Sequence, residues 1–233
     1  MTMRLDKLLA DRGVGARRKV KRYVKGGRVT VNGVVCREHG RHVAETDAVA
    51  FDEQPVVALP VVAKWHKPKG IITTTSDPWG RLSLADTNTS ELFEDRYHPV
   101  GRLDLETSGL LLFSRDGGLT HRLLHPKQGV ERTYRARVEN APTEELFEVL
   151  AAGVETAAGV FTAKVHAVEG DVVELTVTEG KHRMVRRMLN NAGHPVLDLH
   201  RLRYGAVELG DLAEGEWAGL EGDELAWVET LLR

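Results

Sequence analysis

The chain holds one cysteine, Cys36, which excludes a disulfide framework and a paired-cysteine zinc site. Redox chemistry is not indicated. No apolar run approaches the length needed to span a bilayer, and the opening MTMRLDKLLADRG is charged throughout, without a signal-peptide hydrophobic segment. A cytoplasmic protein with no membrane partner is therefore expected. Internal repeats and low-complexity tracts are missing. So are the fingerprints of several enzyme classes. GVGARR lacks the spacing of a dinucleotide-binding turn or a phosphate loop, and Ser108 within TSG has no nucleophile-elbow pattern around it. His121 and His125 stand at i and i+4, but the intervening glutamate of a metalloprotease is absent and no third ligand is evident. No metal and no nucleotide cofactor is implied.

What is present is an uneven distribution of charge. The net charge of −2 conceals 12 Lys+Arg against 5 Asp+Glu in residues 1–50, and 20 against 29 in the remainder. A basic head on an acidic body suits a polyanionic partner, of which nucleic acid is the commonest. With 233 residues, the chain can build one large domain and a small accessory one.

The head reads as helix, turn, helix, hairpin. Leu5, Leu8 and Leu9 form one apolar stripe, Val20, Tyr23 and Val24 another, and Gly26-Gly27 stops the second helix. Arg18, Lys21, Arg22 and Lys25 recur at i, i+3, i+4 and i+7, so they line one face with no interleaved acid. Like charges at that spacing repel unless an anion screens them; a merely solvated face is the alternative. RVTVNGVVC alternates and carries Asn-Gly, the signal for a two-residue hairpin turn. The arrangement, with RLDKLL, RR and GRVTVNG, resembles the small RNA-binding domain named after ribosomal small-subunit protein four. On that resemblance Arg4, Arg17, Arg18, Lys21, Arg22, Lys25 and Arg28 are the expected RNA-binding residues. Gly15-Ala16 stands where that family often has a capping serine, so a weak start to the second helix is expected.

DEQPVVALP has two prolines and no period, which marks residues 52–60 as a linker between a head of residues 1–51 and a body of residues 61–233. Strand-like pieces (VVAKWHKP, SGLLLFSRD, RTYRARVE, DVVELTVTEG, VLDLHRLRYG) are interrupted irregularly by helical ones (GLTHRLLH, TEELFEVLAAG, HRMVRRMLNNAG). Because the two kinds do not alternate strictly, the fold class expected is α+β, on a mostly antiparallel mixed sheet with flanking helices.

Three constellations in the body carry chemistry. In GRLDLETSG, Asp104 precedes the apolar run Leu110 to Phe113; a carboxylate there is paired, exposed in a cleft, or bonded to its own turn. In ERTYRARVE, period-2 alternation puts Tyr134, Ala136 and Val138 on one face, so Tyr134 either packs in the core or stacks on an extruded base. In EGKHRMVRRML, Arg183, Arg186 and Arg187 share a helix face near a helix start, where the dipole adds to their repulsion. A carboxylate or phosphate would settle them; a solvated basic face is the alternative.

Taken in order, HKPKG, GRLDLETSGLLLF, ERTYRARV, EGKHRMVRRM and RLRYG resemble the motifs of rRNA pseudouridine synthases that carry such an N-terminal RNA-binding domain. The resemblance implies a cofactor-free and metal-free isomerisation of uridine in ribosomal RNA, free or in a ribosome-assembly intermediate, by a chain expected to be a monomer. It implies Asp104 as the essential aspartate, Tyr134 as the residue packing on the base, and Arg186 as the partner of Asp104. It further implies Arg102, Lys67, Arg183 and Arg187 as substrate-binding residues, with Lys67 and Pro68 bracing the tyrosine. RLRYGAVELGDLAEGEW is closer to members acting on large-subunit rRNA than on small-subunit rRNA. A non-catalytic RNA-binding or assembly factor on the same fold is the alternative.

Overall fold

The structure, a computed structural model, describes residues 2–44, 46–56, 60–94 and 96–232. The chain divides into two compact units, Met1–Val61 with Glu91–Arg96, and Val62–Ser90 with Tyr97–Arg233.

The first unit runs β1 (Thr2–Arg4), α1 (Leu5–Asp11), α2 (Arg17–Lys25), β2 (Val29–Val31), β3 (Val34–Val35), β4 (His42–Ala44), β5 (Val49–Phe51) and β6 (Gln54–Pro55). Its core is the expected pair of stripes, Leu5, Leu8 and Leu9 against Val20 and Val24, closed by Val29, Val31, Cys36, Val43 and Val49. Asn32 and Gly33 both take positive φ, 53° and 77°, so the Asn-Gly pair turns β2 into β3 in the geometry that the strand twist favours. Ala16 starts α2 without a side-chain cap, as Gly15-Ala16 predicts. Within the expected linker, residues 52–53 form a turn and Gln54 and Pro55 pair with β5 as strand; residues 57–59 lie outside the described residues.

The second unit continues with β7 (Val62–Lys67), α3 (Ser90–Glu94, whose residues from Glu91 belong to the first unit), β8 (His98–Pro99), β9 (Thr107–Ser114), α4 (Gly117–Leu124) and β10 (Arg132–Val138). There follow α5 (Glu144–Ala152), β11 (Val154–Thr156), β12 (Gly159–Phe161), β13 (Lys164–Glu169), β14 (Val172–Val177), α6 (Met184–Asn191), β15 (Val196–Tyr204), β16 (Val207–Glu208), β17 (Trp217–Gly219) and α7 (Gly222–Leu232). Its main sheet has the order β13-β14-β10-β15-β9-β7-β17, with β8 added to β9 and β16 to β15. Among the described residues every pairing in it is antiparallel except β9 with β15. This is the expected α+β architecture. Central strand β9 is buried along its whole length, and Leu110, Leu111, Leu112 and Phe113 are inaccessible to solvent, which gives a rigid wall behind the loop that precedes it.

The one parallel pair explains a glycine. Gly109 sits opposite Arg201 at φ +102°, and a Cβ there would lie 2.3 Å from the Arg201 carbonyl oxygen and 2.6 Å from its nitrogen. Only glycine permits that approach.

Candidate active site

Asp104 lies half-buried in the loop before β9, and three elements hold its backbone. Thr73 Oγ1 donates to the Leu103 carbonyl at 2.7 Å and accepts from the Leu103 amide at 3.1 Å. The Gly70 amide donates to the Leu105 carbonyl at 2.8 Å, and the Thr107 amide closes the turn onto the Asp104 carbonyl at 3.0 Å. The Lys67 ammonium donates to the carbonyls of Pro68 (2.9 Å), Asp104 (3.2 Å) and Thr107 (2.9 Å). Burial lowers the Lys67 pKa to about 8, although the Asp104 carboxylate opposes that shift. Lys67 is completely buried. Lys67, expected to bind substrate and, with Pro68, to brace the tyrosine, does not line the cleft, and its donors go to backbone carbonyls at and beside the turn that carries Asp104.

Asp104 lines a cleft of about 960 Å³ with Arg102, Tyr134, Arg183, Leu199 and Arg201. Arg102 is exposed, with no hydrogen bond or ion pair among the described residues. Tyr134 comes from β10, whose alternation buries Tyr134, Ala136 and Val138 and exposes Arg135 and Arg137. Arg201, from neighbouring β15, escaped notice in the sequence. It is 3% exposed; its Nε donates to the Leu110 carbonyl at 2.7 Å, its NH1 to the Tyr134 hydroxyl at 3.4 Å, and its NH2 is buried with no partner in the protein. Its guanidinium carbon stands 5.9 Å from the Tyr134 ring centre and 5.2 Å from that of Tyr204. The signal was available, since Leu199 and Arg201 share one parity on a strand.

The arginine cluster differs from its sequence reading. Helix α6 begins at Met184, and Arg183 precedes it at φ +51°, a left-handed conformation uncommon for a side chain of that size. Arg186 is buried, not on a solvated face, and among the described residues it forms no ion pair with Asp104. Its NH2 donates to the Glu106 carbonyl at 2.9 Å, its NH1 to the Val196 carbonyl at 3.3 Å, and its Nε is buried without a partner. Burial, then Arg183, lowers the Arg186 pKa from the ordinary guanidinium value, while Glu106, Asp104 and Asp198 oppose that. Asp104 is therefore felt through space, and the side chain holds the aspartate turn by its backbone. The Arg183 guanidinium lies 3.6 Å from the Glu106 carboxylate. Arg187, expected to bind substrate, is half-buried against His182 at 3.3 Å and does not line the cleft.

The Thr107 hydroxyl, Arg186 Nε and Arg201 NH2 are buried with no hydrogen-bond partner among the described residues; Thr107 and Arg201 line the cleft and Arg186 does not. Among the described residues no cluster of His, Cys, Asp and Glu fit to hold a metal is present, and no helix is long and apolar enough to cross a membrane.

In the first unit the cations divide in two. Arg4 and Arg17 hold the buried Asp6 carboxylate at 3.1 and 3.0 Å, keeping its pKa far below the usual carboxylate range, Arg4 contributing most. Arg28 pairs with Asp52 and lies over the Tyr23 and Phe51 rings at 4.5 and 4.6 Å. These three have internal work. Arg18, Arg22 and Lys25 are exposed and Lys21 half-buried, with no side-chain partner among the described residues.

This architecture has known counterparts. The chain belongs to the RNA pseudouridylate synthase family, which matches residues 61–191, and an S4 domain matches residues 3–49. Ribosomal large subunit pseudouridine synthase B of Bacillus subtilis is 35% identical over 98% of this chain and 96% of its own length. The protein of that name in Vibrio cholerae is 35% identical over 100% of this chain and 76% of its own. A crystal structure of a pseudouridylate synthase aligns with a TM-score of 0.66 at 26% identity, covering 97% of this chain and 99% of that one.

Proposed function

We propose that this chain isomerises a uridine of large-subunit ribosomal RNA to pseudouridine, with Asp104 as the catalytic carboxylate. In that reaction the bond from nitrogen 1 of the base to the ribose breaks and one from carbon 5 forms; carbon 5 loses a proton and nitrogen 1 gains one, so atoms balance without a cofactor. An ionised carboxylate beside the sugar serves either as nucleophile on the ribose or as base at its 2′ position. The observation that carries the reading is the Asp104 turn, fixed by Lys67, Thr73, Gly70 and Arg186 at the wall of a cleft that Tyr134 and Arg201 also line. A backbone turn held in this way fixes where the Asp104 side chain starts and lowers the reorganisation needed when the substrate arrives.

The uridine must leave its stack to reach Asp104. Unstacking costs a few kcal/mol, and stacking on an aromatic returns about 1 to 3, so Tyr134 offsets much of the cost. Arg102 then contacts the vacated RNA, and Arg183 exchanges Glu106 for a phosphate. Arg18, Lys21, Arg22 and Lys25 supply affinity for the RNA backbone, while Arg4, Arg17 and Arg28 contribute chiefly to the unit's own stability. The chain acts as a cytoplasmic monomer on rRNA or an assembly intermediate.

Large-subunit rRNA transcript incubated with the protein should yield pseudouridine at a defined position and no free uracil. Release of free base would mark a glycosidase; tight binding without either product would mark an RNA-binding factor.

A further inference from the structure

The cleft that contains Asp104 also contains an aromatic side chain with no part in the chemistry above. Trp79 lines it and is 78% exposed, the largest value among the exposed large hydrophobic residues described. By contrast Trp65 is fully buried, with its indole nitrogen donating to the Gly215 carbonyl. An exposed indole in a cleft wall presents large apolar faces on which a flat ligand can stack.

The loop presenting Trp79 is built, not slack. The Asp77 carboxylate accepts from the Arg81 amide at 2.9 Å and from both sides of the Arg81 guanidinium at 3.2 and 2.7 Å. Gly80, at φ +69°, donates its amide to the Asp77 carbonyl, and the Ile72 amide donates to the Leu82 carbonyl at the base of the loop. With its planar head fixed in this way, Arg81 lies 5.0 Å from the centre of the Trp79 ring. A cation over one aromatic face polarises the ring and limits its rotation, which lowers the entropy lost when a flat ligand stacks on it. The cleft volume of about 960 Å³ lies at the top of the roughly 300–1,000 Å³ that encloses a whole small ligand, so a nucleoside at Asp104 leaves room for another base.

We propose that Trp79, held by Arg81 and Asp77, is a stacking site for an unpaired nucleobase of the RNA substrate, separate from the uridine that reacts. The site selects single-strandedness over base identity, because every base has a π face and none of the three side chains reads a Watson–Crick edge in a fixed geometry. The inference rests on the reading of the chain as an rRNA pseudouridine synthase.

The test compares the full chain with Trp79→Ala and Trp79→Phe, using the large-subunit rRNA transcript. Trp79→Ala should lower kcat/KM about five-fold or more, mostly through KM, with an unchanged melting temperature, and Trp79→Phe should recover most of the loss. RNA should also quench tryptophan fluorescence in the parent protein, and the quench should shrink in Trp79→Phe. Equal kinetics and equal quenching in all three proteins would overturn the proposal and assign the indole to another occupant, such as a protein partner. If the parent makes no product, the functional reading fails; the quenching comparison still decides the stacking site.

Discussion

Asp104 depends on its neighbours, and each dependence can be measured. Lys67 loses its proton near pH 8 when folded and near 10.5 when unfolded, so the unfolded chain binds more protons between those values. Folding stability therefore gains a rising contribution as pH goes from 8 to 10.5. Lys67→Met should flatten that limb, and should lower the denaturation midpoint at pH 7.5 because three carbonyls lose their donor, at a cost of about 2 kcal/mol or more. Arg201→Ala should leave Tyr134 without its hydroxyl partner and reduce kcat/KM about ten-fold or more, while a melting curve reports separately on the lost bond to the Leu110 carbonyl. Arg102, Asp104 and Tyr134 were legible as polar groups set against apolar strands. Arg186 was not, because its burial depends on carbonyls of residues 106 and 196, contributed by distant segments.

At the scale of elements, the parallel contact between β9 and β15 is the tightest constraint near the site. Gly109→Ala would drive a methyl into the Arg201 backbone, and a loss of about 3 kcal/mol with near-complete inactivation is expected from denaturant titration and product assays. The elements that sequence patterns found are those with a buried face or a specific turn: β9, β10, β15 and the Asn32-Gly33 hairpin. Strand β13 was missed because it is an edge strand, mostly exposed on both faces, and shows no alternation to read. The short β11–β12 hairpin and terminal α7 were also missed, the latter burying only Val228 among its described side chains. Helix α6 was placed correctly but started late, since Arg183 adopts a left-handed turn that no propensity anticipates.

Over the whole molecule, charge and chemistry are allotted to different units. The α+β class followed from the irregular order of strands and helices; the +7 charge and helical spacing of the head pointed to a polyanion, and the family resemblance of its motifs made that partner RNA. Which head cations are free for RNA was not legible, because Asp6 and Asp52 claim theirs through folding. Replacing Arg18, Lys21, Arg22 and Lys25 with glutamine should reduce the slope of log affinity against log salt by about 3, while the single-turnover rate on saturating RNA stays within two-fold. The most direct measurement is pseudouridine mapping of large-subunit rRNA treated with the parent protein and with Asp104→Asn at matched concentration and matched melting temperature. The account predicts product from the parent and none from the variant, with RNA affinity retained. Appreciable product from a pure, folded Asp104→Asn preparation would contradict it.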